Sequence, residues 1–238
     1  MCQECGCSIN HKHEHSHREE VNLFKKVLER NDLQAKENRE HFEEHGVFAI
    51  NLMSSPGAGK TSLLERTIES LSDLRVGVIE GDLETDKDAQ RIRAKGAPAV
   101  QISTGSACHL DAFMVHEGLH GLPLEGLDIV FIENVGNLVC PASYDVGAHM
   151  NVVLLSVVEG DDKPEKYPVM FRSAQLMVIT KTDLLPYVDF SIERAIRSAR
   201  RVNPSIDILR LSAKTGEGME EWIEYLRFKV KAFRKSLV

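Results

Sequence analysis

The sequence contains no run of about eighteen apolar residues, so no segment has the length of a transmembrane helix. It also lacks basic excess: 29 Lys and Arg stand against 36 Asp and Glu, a formal net charge of −7. General binding to nucleic acid or to an anionic membrane needs a basic face, so neither is an expected partner. The N-terminus has neither the charged start nor the apolar middle of a secretory leader, and a cytosolic location is expected. Cysteine is scarce and uneven. Cys2, Cys5 and Cys7 crowd the first residues, while Cys108 and Cys140 stand mid-chain. In a reducing compartment these read as thiols or metal ligands, not disulfides. No internal repeat is present.

What is there suffices for one α/β domain with an appended tail: 238 residues, 42 % hydrophobic. Residues 1–20 are polar and rich in Cys and His, without an apolar face, and are expected to form a disordered metal-binding tail. The domain is expected over 21–238. It opens with a helix at 21–46, with Phe24, Val27 and Leu28 on one face and Gly46 as its stop. Short apolar runs then begin at Val47, Val76, Ala99, Asp128, Asn151, Leu176 and Ile206, with helical stretches between, notably 86–95, 191–202 and 219–236. Strands alternating with helices imply βαβ crossovers and a doubly wound, mainly parallel sheet of the P-loop NTPase kind. Ligands of such sheets bind beyond the carboxyl ends of strands, and each motif below falls at such an end.

Ser54-Ser55-Pro56-Gly57-Ala58-Gly59-Lys60-Thr61 reads as a P-loop between a strand and a helix that continues through Ser62. Gly57 and Gly59 let the backbone wrap phosphates, whose charge the N–H groups and the helix N-terminus favour. Lys60 adds a full positive charge, and the Thr61 hydroxyl suits Mg²⁺. Ser54 stands where the general pattern has its first Gly. Thr180-Lys181-Thr182-Asp183 follows the Leu176 strand, and Ser212-Ala213-Lys214 follows the last one. The Asp183 carboxylate can accept both N1–H and the exocyclic amine of guanine. Adenine offers no such donor pair, so GTP is the expected nucleotide. Lys181 can lie over the purine. Asp82 and Glu133, each ending a strand, are the candidates for Mg²⁺ and for positioning the attacking water, with neither preferred for the latter. Gly136 lets the backbone reach the γ-phosphate.

Cys2-x-x-Cys5-x-Cys7 offers three thiolates, and removal of Met1 would add the Cys2 α-amine. Four such donors on a short loop can lie in a plane, which suits Ni²⁺ better than tetrahedral Zn²⁺. A tail with no site and half of a zinc knuckle are the alternatives. His11, His13, His15 and His17 alternate beyond it, as a loose metal reservoir or merely a solvated linker. Cys108, His109 and Cys140 lie on loops after strands, Cys140 just beyond the segment expected to sense the γ-phosphate. Three side chains are too few for a closed zinc site, so water or a second subunit would complete it. Two ordinary thiols and a surface His are the alternative.

The chain resembles the HypB family of hydrogenase-maturation nickel-incorporation GTPases, in the SIMIBI class of P-loop proteins. The match extends over essentially all of the chain. It rests on residues 55–61, Gly81-Asp82-Leu83-Glu84-Thr85, Asp88-Ala89, Cys108-His109-Leu110, the run Glu133–Pro141 and Thr180–Asp183. The resemblance implies a GTP-dependent homodimer that hydrolyses GTP and delivers nickel to the large subunit of nickel–iron hydrogenase with a HypA-type metallochaperone. It implies a tight nickel site at Cys2, Cys5 and Cys7 and a weaker nickel or zinc site at Cys108, His109 and Cys140. Competing readings are a GTPase serving urease or a cobalamin-dependent mutase, a passive nickel or zinc store, and an ATP-dependent small-molecule kinase. A complete P-loop with Asp183 opposes the store, and Asp183 with no evident substrate-binding domain opposes the kinase.

Asp183→Asn turns an acceptor oxygen into a donor facing guanine's donors. GTP affinity is expected to fall by about 2–3 kcal/mol with xanthosine triphosphate gaining, measured by calorimetric titration of both nucleotides.

Overall fold

The computed structural model describes residues 11–82 and 86–237, with side chains from residue 25 onward. Helix α1 (His11–Glu44) leads into β1 (Phe48–Ser54), α2 (Lys60–Ser70), β2 (Val76–Asp82), α3 (Lys87–Ala94), β3 (Ala99–Ser103), α4 (Ala112–Leu119) and β4 (Ile129–Glu133). After a 3₁₀ turn at Cys140–Ala142 come β5 (Met150–Ser156), the short α5 (Lys163–Lys166) and α6 (Pro168–Ser173), then β6 (Leu176–Thr180). A second 3₁₀ turn, Thr182–Tyr187, precedes α7 (Ile192–Val202), β7 (Asp207–Arg210) and α8 (Met219–Ser236).

The strands form one seven-stranded sheet in the order β3-β2-β4-β1-β5-β6-β7. All six pairings are parallel. Helices cover both faces, so the central strands are mainly apolar along their length: every residue of β1, β4 and β6 is buried. β1 shows how the two faces divide. Phe48, Ile50 and Leu52 point to a core shared with Leu63 and Leu64 of α2, Ile92 of α3 and Trp222 and Leu226 of α8. Ala49 faces the opposite side, with Phe42 of α1 and Val115 and Leu119 of α4, and Met53 joins α6 and α7 there. Trp222 is fully buried and its indole N–H donates to Thr67 Oγ1 at 2.9 Å. Because β1 lies between β4 and β5, the chain departs to opposite sides of it, which opens a crevice at its carboxyl end.

Helix α1 starts at His11, where the pattern places Val21. No Gly or Pro interrupts residues 11–44, so nothing stops the helix on its N-terminal side. Val27, on the expected apolar face, is 46 % exposed. Instead Ala35 and Phe42 are buried, and two asparagines tie the helix down. Asn31 donates to Asp145 O at 2.8 Å and accepts from Ala112 N at 2.9 Å, while Asn38 donates to Ala112 O at 2.7 Å. Residues 1–10, including the expected Cys2, Cys5 and Cys7 site, lie outside the described residues. No helix among the described residues is long and apolar enough to cross a membrane.

Asn38→Ala removes the buried hydrogen bonds to Ala112 O and Val146 O that tie α1 to the domain. Urea denaturation is expected to show a loss of about 1–3 kcal/mol; an unchanged midpoint would mean that α1 is held without these bonds.

Candidate nucleotide and metal site

The turn from β1 into α2 takes the form a phosphate cradle requires. Gly57 and Gly59 have φ of 72° and 100°, a region that side chains avoid. Lys60 is buried, and its Nζ donates to Ser54 Oγ at 3.2 Å. Ser54 in turn donates to Ser55 O at 2.7 Å. The departure from the usual first Gly thus supplies a resting partner for the lysine. Gly136 approaches from the end of β4 so closely that a Cβ there would lie 2.8 Å from Pro56 Cα.

Thr61 donates from Oγ1 to Glu133 Oε1 at 2.8 Å. Around Glu133 the structure gathers two carboxylates that sequence reasoning did not select, Glu80 and Asp88, with oxygens of all three within 4.8 Å of one another. Glu80 was missed because it belongs to no motif and lies short of the strand end, and only the pairing of β2 with β4 sets it opposite Glu133. An acidic residue within a strand was the available signal. Burial, then the Glu133 charge, pushes the Glu80 carboxyl up to about 8. Burial pushes Glu133 up to about 7 against the pull of Lys60 and Thr61. Glu80 Oε2 and Glu133 Oε2 are buried and make no hydrogen bond among the described residues. Orphaned hard oxygens beside a threonine hydroxyl fit Mg²⁺. Asp82 ends β2 on the same face as Glu80, and its charge acts on Glu80.

A cavity of about 270 Å³ opens between the start of α2, Thr180–Leu184 and Leu211–Lys214. This brings the P-loop and both expected base-contacting loops to one cleft. Thr180 Oγ1 donates to Ala58 O at 2.7 Å. Lys181 has φ 61°, the one positive φ at a non-glycine among the described residues, and its Nζ donates to Gly57 O at 2.6 Å. Ser212 Oγ donates to Asp183 Oδ1 at 2.6 Å and accepts from Thr215 N at 3.2 Å. Asp183 is thereby oriented, with its second oxygen left to meet a donor edge. Ala213 and Lys214 line the same cleft.

Cys108, His109 and Cys140 also converge, each offering a ligand atom within 4.8 Å of the others. Cys108 Sγ lies 3.9 Å from His109 Nδ1, and the His109 ring stacks on Tyr144 with centroids 4.0 Å apart. Burial lowers the His109 pKa, which favours the neutral imidazole a metal needs. A hydrogen bond with Cys108, then burial, raises the Cys140 thiol. The trio is joined to the nucleotide side. Asn137 Nδ2 donates to Cys108 O at 3.3 Å, one residue beyond the Gly136 that rests on Pro56. Asn134 Oδ1 accepts from Leu110 N and Val135 N, each at 3.0 Å.

The nucleotide-binding-domain profile of the CobW/HypB/UreG family matches residues 48–210. A hydrogenase maturation factor HypB of Azotobacter vinelandii is 56 % identical over 220 residues, covering 88 % of this chain and 72 % of that protein. The chain belongs to the HypB group of this family. A hydrogenase/urease maturation factor HypB of Helicobacter pylori is 43 % identical, covering 88 % of each chain. The crystal structure of Helicobacter pylori HypB in complex with nickel superposes with a TM-score of 0.83 at 42 % identity, covering 85 % of this chain and 96 % of that one. The expected parallel-sheet P-loop fold is therefore found here as in HypB relatives.

Glu80 and Glu133 have folded pKa values above the ordinary 4.5, so the folded state holds protons that the unfolded chain releases. Their contribution to stability is present below about pH 4.5 and is lost as pH rises through about 7 to 8. Denaturation of metal- and nucleotide-free protein is expected to show this decline. Glu80→Gln should flatten it and stabilise the protein above pH 8 by about 1–3 kcal/mol; a profile matching wild type would rule out Glu80 as its source.

Proposed function

We propose that the protein hydrolyses GTP to GDP and phosphate and uses the cycle to gate nickel delivery to the large subunit of a nickel–iron hydrogenase. In this reading it acts as a GTP-dependent homodimer with a HypA-type metallochaperone. The observation that supports it best is the continuous contact path from Pro56 through Gly136 and Asn137 to the backbone of Cys108. A thiol–imidazole cluster and a phosphate cradle that share a segment cannot move independently.

The roles follow from placement. Ser55–Ser62 and Lys60 hold the phosphates, and Gly136 brings backbone to the γ-phosphate. Thr61 and Glu133, with Asp82, are the residues to hold Mg²⁺, which would draw charge off the phosphate oxygens. Asp183 reads guanine, Thr180, Lys181, Ser212, Ala213 and Lys214 frame it, and Glu133 or Asp82 orients the water. That water forms the new bond to the γ-phosphorus, the bond to the β-phosphate bridging oxygen breaks, and Lys60 stabilises the charge left on the departing diphosphate. Nickel is cargo: held tightly by Cys2, Cys5, Cys7 and the freed amine, and exchanged at Cys108, His109 and Cys140, where zinc is the competing occupant. Service to urease is the second reading, favoured by the name of the Helicobacter pylori relative.

The test is nickel titration of protein lacking residues 2–7, with GDP and with a non-hydrolysable GTP analogue, while oligomeric state is recorded. The two nickel affinities are expected to differ by about 5–150-fold, and nickel must shift nucleotide affinity by the same factor. Equal affinities and stoichiometries would defeat GTP gating.

A further inference from the structure

Away from the nucleotide and thiol sites, the structure gathers four histidines where α1 packs on α4. His41, in the last turn of α1, and His45, the residue just past its end, have ring centroids 4.8 Å apart. His116 on α4 and His120, the residue that caps it, are one turn apart, with centroids at 4.9 Å. Histidines four residues apart on a helix have the spacing of a metal clasp. The two pairs are neighbours. His116 Nδ1 lies 3.0 Å from Oδ1 of Asn38, the residue one turn before His41 and Phe42 on α1. Burial, then the charge of His45, lowers the His41 pKa; Glu44 opposes this, and His116 and His120 lower it further, so all lie within electrostatic reach.

Two of the rings are already held in the tautomer that ligation requires. Asn38 spends its amide N–H groups on Ala112 O and Val146 O, so its Oδ1 can only accept from His116. His45 Nδ1 lies 2.9 Å from the carbonyl of His41, again an acceptor. In both rings Nδ1 carries the proton and Nε2 keeps its lone pair, with an oriented acceptor behind it. None of the four is fully buried, so an ion can reach them from solvent.

We propose that His41, His45, His116 and His120 form a second, thiol-free site for a borderline divalent transition-metal ion, Ni²⁺ or Zn²⁺, bridging α1 and α4. Imidazole donors suit these ions. In the structure no three of the four offer nitrogens all within 4.8 Å of one another, so an ion draws them together by side-chain rotation. The site shares no residue with Cys108, His109 and Cys140 and does not depend on the proposed GTP-gated transfer. Its occupant would clamp the N-terminal helix to the domain.

The test is histidine carbethoxylation of the full chain, mapped by mass spectrometry, with and without saturating Zn²⁺ at neutral pH. Modification of His41, His45, His116 and His120 is expected to slow about tenfold or more with the metal. In the double variant His116→Gln, His120→Gln, metal should no longer protect His41 and His45. The amide introduced by His116→Gln can still donate to Asn38, and His120 is exposed, so the fold is kept. Unchanged rates at the four rings, protection confined to one helix, or protection of His41 and His45 that survives in the double variant would each overturn the proposal.

Discussion

One buried side-chain amide holds the working end of this sheet together. Asn134 is fully buried immediately after Glu133. Its Nδ2 donates to Asn51 Oδ1 in the central strand at 3.2 Å, and its Oδ1 accepts two backbone N–H groups, from Leu110 and Val135. Asn51 passes the connection on, donating to Asn151 Oδ1 of β5 at 3.0 Å. A polar network in such an interior is stable only when each member is satisfied. The loop after β3, which bears Cys108 and His109, and the segment after β4, which bears Gly136 and Cys140, are therefore tied to β1 through the same side chain. The phosphate cradle grows from the same strand.

On this frame the charges are set in tension. Glu80 and Glu133 are buried close together beside Lys60, and burial raises both carboxyls, to about 8 and about 7. Lys60 is parked on Ser54 and Thr61 on Glu133, with hard oxygens in reserve. A divalent cation arriving with a polyphosphate would meet groups whose protons it can displace.

The parts legible in the sequence are those that depend on contiguous residues. The P-loop, Thr180–Asp183 and Ser212–Lys214 announce themselves because backbone conformation and side-chain chemistry are encoded together in a few positions. Parallel strands were legible from short apolar runs, since both sheet faces are covered. What could not be read depends on distant pairings. Glu80 looks like an incidental acidic residue until β2 is seen to pair with β4 and set it opposite Glu133. The bond from Asn137 to Cys108 and the meeting of His116 with Asn38 join segments whose spacing carries no pattern. The anchoring of α1 by Asn31 and Asn38 could not be read, because Asn is polar in any profile and its partners, Asp145 and Ala112, are distant in the chain. The segment 1–10, which carries the cysteine motif, lies outside the described residues.

Lys181 gives the cleft a further property. Its strained backbone and its bond to Gly57 O join the loop that frames the base to the loop that wraps the phosphates. The two halves of a nucleotide are then met by surfaces whose separation is set before either arrives. Such a cleft treats its ligand as bivalent: once the phosphates are seated, the base is presented at high effective concentration to a loop already in register. A free nucleoside or a free polyphosphate engages only one surface and forfeits that advantage, so discrimination rests as much on the length of the ligand as on the identity of its base.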